Sequence, residues 1–236
     1  MPELPEVETV RVRMEKALKG KQITEVYADE ADRFLFAFAP FVEVREALLG
    51  GKVKGSGRKG KYFWLSLSNT SILFHLGMTG NVEIRTAKKS GKRAWGGLRL
   101  WSNPGGKNEE RSWFARLVIT TADGTEVALT DPRRFGRIWL TTAPLLHPRV
   151  KKLGYDPLQI FPSAKELALI LKKRKAPVKA VLLDQKLFAG VGNWIADEIL
   201  YQARLAPSRP AASLSFSEVA RLRAKTVSII KKAVAV

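Results

Sequence analysis

Lys61-Tyr-Phe-Trp-Leu-Ser-Leu-Ser-Asn-Thr-Ser-Ile-Leu-Phe-His-Leu76 reads as two short strands, Lys61–Leu67 and Ser71–Leu76, folded back on each other at Ser68-Asn69. Aromatic and β-branched side chains suit a pleated, half-buried surface, and Ser and Asn suit a tight turn. Working outward, the same pattern recurs at Ile23–Tyr27, Asn81–Arg85, Ala115–Thr120, Glu126–Leu129 and Arg137–Thr141, with Asp123-Gly124 as a second hairpin tip. Many short antiparallel strands at close spacing predict a β-sandwich.

Helices flank this region. Val7, Val10, Met14 and Ala17/Leu18 recur at helical spacing behind Pro5, a good first-turn residue, and Gly20 ends the run. Glu6 and Glu8 lie where the helix dipole favours acids. The carboxy-terminal part is helical. Ser163-Ala-Lys-Glu166 and Ser215-Phe-Ser-Glu218 are capping-box patterns, Pro177 opens a helix, and Asn193 is read as the cap of Trp194–Ala203. The fold class is therefore α+β, with one domain over residues 1–142 and a helical one over 143–236. Residues 86–112, rich in Lys, Arg, Gly and Asn, read as a long, partly disordered basic loop.

The 236 residues carry 41 Lys+Arg against 22 Asp+Glu, a formal charge of +19. Nucleic acid is the polyanion this favours, ahead of an anionic membrane. Binding to it should weaken steeply with salt, because each phosphate contact releases counterions. There is no cysteine, which excludes disulfides and thiolate zinc or iron–sulfur sites. His75 and His147 are too few for a histidine-rich metal centre, so no metal or other cofactor is expected. No apolar run approaches a membrane span, and the start lacks a signal-peptide layout, so an intracellular, soluble monomer is expected, working with DNA and not at a membrane.

Four segments carry chemistry. Proline after Met1 permits removal of the methionine, which would leave Pro2 with a free secondary amine. An α-amine has a pKa near 7.7–8.0, so part of it is neutral and nucleophilic at physiological pH. Glu3 stands beside it as a candidate general acid; alone, the pair also fits an ordinary terminus. Gly55-Ser-Gly-Arg-Lys-Gly-Lys61 is a basic, glycine-rich turn entering a strand, either a phosphate contact or a solvated loop. His75-Leu-Gly-Met-Thr-Gly80 and Asp131-Pro-Arg-Arg-Phe-Gly136 place Met78, Arg133 and Phe135 in tight turns, where they are either core residues or wedges for unstacked DNA. Gly190-Val-Gly-Asn193 reads as a nest of backbone amides for a phosphate, with Lys175, Lys179 and Lys186 nearby.

Together, Met-Pro-Glu-Leu-Pro-Glu-Val-Glu-Thr-Val-Arg11, the His75 and Asp131 segments and Asp184-Gln-Lys-Leu-Phe-Ala-Gly-Val-Gly-Asn193 resemble the formamidopyrimidine-DNA glycosylase (Fpg/MutM) branch of the Fpg/Nei family, in order and spacing. The resemblance implies a β-sandwich flanked by helices followed by a helix–two-turns–helix domain. It implies a glycosylase with AP-lyase activity that acts on double-stranded DNA carrying 8-oxoguanine, formamidopyrimidines or abasic sites. Carried over by position, Pro2 attacks C1′, Glu3 protonates the sugar or leaving group, Glu6 holds the site, and Lys61 contacts phosphate and donates a proton in β-elimination. Met78, Arg133 and Phe135 fill the vacated stack, Arg133 reading the orphaned cytosine. His75 contacts DNA, and Arg134, Lys175, Lys179 and Asn193 hold phosphates. The family's lesion-capping loop and carboxy-terminal finger, commonly Cys₄ zinc, would follow the last helix, and no zinc finger is present in this chain. Trp113-Phe114-Ala115 stands where relatives often carry a histidine. The alternative reading is a non-catalytic binder of damaged or bent DNA, which a retained Met1 would favour; a basic RNA-binding module is a third.

Overall fold

A computed structural model describes residues 1–28, 32–86 and 114–234. The basic stretch read at 86–112 lies, apart from residue 86, outside the described residues, as does Trp113. The chain forms two compact units. Met1–Pro2, Thr9–Arg58 and Tyr62–Pro144 make the first, and Glu3–Glu8, Lys59–Lys61 and Leu145–Val236 the second. A division at 142/143 alone does not convey that two short early segments are built into the helical unit.

Among its described residues the first unit holds eight strands: β1 (Ile23–Ala28), β2 (Gly55–Lys59), β3 (Tyr62–Ser66), β4 (Ser71–His75), β5 (Asn81–Arg85), β6 (Ala115–Thr121), β7 (Glu126–Thr130) and β8 (Arg137–Thr141). They form two four-stranded antiparallel sheets, ordered β1-β6-β7-β5 and β2-β3-β4-β8, the β-sandwich the strand pattern predicts. The side-chain period of two sorts the residues. Phe63, Phe74 and Ile138 pair across β3, β4 and β8 and are buried, with the two rings stacked at 4.9 Å. Their neighbours Tyr62, His75 and Arg137 form the adjacent cross-strand row. Both predicted hairpin tips are present: Leu67 N–H donates to Thr70 O, and Gly124, at φ +77°, donates to Thr121 O.

Two features of this unit depart from the sequence reading. Gly55–Lys59, read as a glycine-rich turn, is the edge strand β2. Glycine is required within it because a Cβ on Gly57 would lie 2.3 Å from the Trp64 indole. Arg58 there is buried, so it is not a surface charge for phosphate. The sequence reading also missed helix α2 (Phe41–Leu48), which buries Val44 and Leu48 one turn apart.

Helix α1 (Leu4–Leu18) buries the expected stripe of Val7, Val10, Met14, Ala17 and Leu18, and Gly20 follows at φ +75°. Its first turn belongs to the second unit, where Leu4 joins the apolar cluster of Leu167, Val178, Phe188, Ile195, Ile199 and Leu222. That unit contains α3 (Pro148–Lys151), α4 (Ala164–Lys172), α5 (Val178–Leu183), α6 (Asn193–Ala203) and α7 (Phe216–Val234). Both capping boxes form: Ser163 and Glu166 exchange bonds at the start of α4, and Ser215 N–H donates to Glu218 while Glu218 N–H donates back to the Ser215 hydroxyl. Among the described residues no helix is long and apolar enough to cross a membrane.

Candidate active site

In the second unit a side chain at the start of one helix caps another. Glu3 immediately precedes α1. Glu6, in the first turn, turns back so that its Oε2 accepts the Glu3 N–H at 3.0 Å, which fixes the peptide joining Pro2 to Glu3. The Glu3 side chain leaves its own helix and caps α6 instead. Its Oε2 accepts the N–H groups of Gly192 (2.8 Å) and Ile195 (3.2 Å), and its Oε1 that of Trp194 (3.1 Å). These are the otherwise unsatisfied donors of a helix start, and the helix dipole adds to their attraction for an anion.

This corrects the reading of the Gly190–Asn193 segment. The cap of α6 is Gly192, not Asn193; Asn193 is the first helical residue, exposed, and no side chain of the cap residue bonds the helix. The amides of Gly192, Trp194 and Ile195 hold the Glu3 carboxylate, and that of Gly190 donates to Gln185 Oε1 at 3.0 Å, so this nest is filled from within the chain. Gln185 had not been singled out; its Nε2 also holds the Val191 carbonyl at 2.7 Å. The glycines permit the close approach: a Cβ on Gly192 would lie 2.2 Å from the Glu3 carboxyl carbon, and one on Gly190, at φ +93°, 2.7 Å from Leu4.

Lys61 belongs to the same unit. The turn before it is anchored by Gly60, whose N–H donates to Asp156 Oδ2 at 2.8 Å, a positioning role that sequence did not reveal. Glu3 is only 3% exposed and Lys61 9%. Burial pushes the Glu3 carboxyl above its ordinary 4.5, against the pull of the Ile195, Trp194 and Gly192 amides and of the Lys61 ammonium. Burial likewise draws Lys61 below its ordinary 10.5, while Glu3 and Glu6 pull it back up. The acid and the base are thus moved toward each other, the direction that makes proton transfer at neutral pH easier. Elsewhere in the unit, Lys175 is exposed and Lys179 pairs with Asp197 at 2.7 Å.

The first unit holds Pro2, half-buried, and the two predicted wedge turns. Met78 is 40% and Phe135 43% exposed, which decides against core packing for either. The Arg133 guanidinium lies 5.0 Å from the Phe135 ring centroid. A residue without an assigned role in the sequence reading builds this surface. Asp131, buried, accepts the Thr79 hydroxyl (2.5 Å), the Gly136 N–H (2.7 Å) and the Arg133 N–H (3.3 Å), tying both turns together. Arg134 is held at φ +57°, a left-handed conformation costly for a side chain of this kind. A Cβ on Gly77 (φ +63°) would meet the Phe135 backbone at 2.4 Å. The His75 ring packs tilted against Tyr62, centroids 4.7 Å apart, and its Nδ1 accepts the Gly77 N–H.

Against this geometry, residues 1–138 match the formamidopyrimidine-DNA glycosylase N-terminal domain, and residues 153–236 match the formamidopyrimidine-DNA glycosylase H2TH domain. The chain belongs to the formamidopyrimidine-DNA glycosylase family. A formamidopyrimidine-DNA glycosylase of Arabidopsis thaliana is 35% identical over 239 residues, covering all of this chain, which spans 59% of that relative's length. One of Geobacter metallireducens is 36% identical over 228 residues, covering 96% of this chain and 76% of the relative. Among solved structures, the Lactococcus lactis glycosylase bound non-covalently to DNA with an AP site superposes with a TM-score of 0.80 at 28% identity, over 99% of this chain and 82% of that one. The wild-type Lactococcus protein with DNA containing an N7-benzyl-Fapy-dG gives 0.80 and 28%, over 99% and 79%. The chain has no cysteine, and the described residues hold no cluster of three or more side chains that could hold a metal ion.

Proposed function

We propose that this formamidopyrimidine-DNA glycosylase family member excises oxidised purines, 8-oxoguanine and formamidopyrimidines, and cleaves the resulting abasic strand, with Pro2 as nucleophile once Met1 is removed. The observation that carries the reading is the Glu3 carboxyl. It is buried, held by three backbone amides, raised in pKa, and bonded directly to the residue that would supply the amine. A structural cap needs no such protonation tuning; a general acid does.

The neutral Pro2 nitrogen attacks C1′. The C1′–N bond to the base breaks, its electron pair leaves with the base, and the base takes up the proton that the Pro2 nitrogen sheds. Glu3 gives its proton to O4′ as the C1′–O4′ bond opens, leaving an iminium between C1′ and Pro2. Loss of a C2′ proton then expels the 3′ phosphate by cleavage of C3′–O, with Lys61 at the phosphate as proton donor, and water releases Pro2. Glu6 fixes the Pro2–Glu3 peptide. His75, Arg134, Lys175, Lys179 and Asn193 contact the DNA backbone, and Met78, Arg133 and Phe135 occupy the emptied stack, Arg133 facing the orphaned cytosine. The bound partner is double-stranded DNA with oxidised bases or abasic sites, met by a monomer inside the cell.

Borohydride reduction of the protein with 8-oxoguanine duplex should trap a covalent adduct whose mass places the sugar on Pro2, and Pro2→Gly should lose most of it. An absence of adduct, or retention of Met1 on the intact protein, would leave a damaged-DNA binder in place of an enzyme.

A further inference from the structure

The segment Asp32–Pro40 carries a surface that the reaction does not use. Asp32 Oδ1 accepts the N–H groups of Phe34 (3.0 Å) and Leu35 (3.1 Å), and its other oxygen lies 4.0 Å from Arg116 Nε. Leu35, Phe36 and Ala39 are buried, so the pinned backbone turns Phe34 and Phe38 outward, 56% and 52% exposed. Both rings are backed. Phe38 stacks on Trp139 at 5.4 Å and only 17° from parallel, and the Arg137 guanidinium lies 5.8 Å from the Phe34 centroid.

Arg137 also ties this surface to the wedge turn. Its Nη1 donates to the carbonyls of Arg134 (3.0 Å) and Gly136 (2.6 Å), while Ile138 N–H donates to Leu35 O. The pairs Phe135–Arg133, Arg137–Phe34 and Phe38–Trp139 therefore combine ring faces with guanidinium groups on hydrogen-bonded neighbouring segments, and Arg33 is exposed beside them in the chain. An apolar peptide would gain from the rings but would meet a cluster of arginines. Nucleobases joined by phosphates match both features: every base has a π-face for a ring, and the phosphates match the cations.

We infer that Phe34 and Phe38, with Arg137 and Arg33, form a stacking platform that holds unpaired nucleotides of DNA beside the wedge turn. The platform rests on the reading of that turn as a DNA wedge, but not on the Schiff-base chemistry. It gives the protein a preference for duplexes in which bases next to the lesion are already unstacked.

The test is fluorescence anisotropy with two labelled duplexes, one fully paired and one carrying a short run of unpaired thymidines. The variants are Phe34→Leu/Phe38→Leu and Phe34→Leu alone, which keep apolar bulk but remove the flat face, with folding checked by circular dichroism. The double variant should bind the thymidine-bulged duplex roughly tenfold more weakly, with the paired duplex changed less than about twofold, and the single variant should fall between. Unchanged affinity for the bulged duplex would overturn the platform and leave the surface to a protein partner. Equal losses on both duplexes would overturn it too, since stacking on unpaired bases would not be the cause. Borohydride trapping by the parent protein reports separately on the enzymatic reading.

Discussion

Gly192→Ala isolates the contact on which the proposed chemistry depends. At φ −122° and ψ −163° the backbone of Gly192 is extended, so alanine brings no conformational strain of its own. Its Cβ, however, would lie 2.2 Å from Glu3 Cδ and Oε1. Ordinary carbon contacts are about 3.5–4.0 Å, so the carboxyl must retreat by more than about 1 Å, enough to break bonds of 2.8, 3.1 and 3.2 Å to three amides. Hydrogen bonds to a charged or buried group contribute about 1.5–3 kcal/mol each and are not additive, so a loss of roughly 3–5 kcal/mol is expected. For a chain of this length that lowers the melting temperature by roughly 6–20 °C. Single-turnover excision of 8-oxoguanine should fall by about 10²–10⁴-fold, the usual worth of a positioned acid. A double-mutant cycle with Glu3→Ala supplies the control: once Glu3 is truncated, alanine at 192 has room, and its added cost should drop below about 1 kcal/mol. If Gly192→Ala melts with the parent, or destabilises both backgrounds equally, the clash with Glu3 is not the operative contact and the reasoning fails.

Two further outcomes follow from the same geometry. Glu3 has its folded-state pKa raised above the ordinary 4.5, so its stabilising contribution is full below that value and is lost as pH rises through the folded value. Glu3→Gln, which cannot titrate, should therefore gain stability relative to the parent as pH is raised from 4.5; parallel denaturation curves for the two proteins would refute the assignment. Asp131→Ala removes the acceptor shared by the Thr79 hydroxyl and the Gly136 and Arg133 amides. It should cost roughly 3 kcal/mol and weaken binding to lesion-containing duplex, read by thermal melts and anisotropy, and an unaltered affinity in a protein that melts early would separate Asp131 from the wedge.

What was legible in the sequence was what is decided locally. The stripe on α1, the hairpins at Ser68-Asn69 and Asp123-Gly124, and both capping boxes depend on residues within a few positions of each other, and all are present. The wedge turns were legible as motifs, but whether Met78 and Phe135 face outward depends on how Asp131 ties two turns from distant parts of the chain. Gly55–Lys59 was misread for the same reason: its glycines and charges describe a loop until Trp64 on the neighbouring strand is in place to occupy the space beside Gly57. Asn193 has the side chain of a helix cap, yet the donors at this helix start are taken by the carboxylate of Glu3, at the far end of the chain. Spacing cannot report such a partner.

That displacement carries a chemical consequence. A side chain capping its own helix is tethered by one residue's backbone and stays near water. Glu3 instead surrenders its own helix to Glu6 and enters the start of α6, where it is nearly inaccessible. Three amides and the helix dipole favour its anion, while burial favours its neutral form, and burial prevails. An acid held between opposing influences of this size is sensitive to a charge appearing beside it. Neighbouring Lys61, whose own proton is loosened by burial, supplies one such influence, and a developing iminium on Pro2 would supply another, favouring release of the Glu3 proton as the sugar ring opens. In the proposed reaction the Glu3 cap on α6 would serve to store a proton, and its dependence on Gly192 is why one methyl group there should be sufficient to disable it.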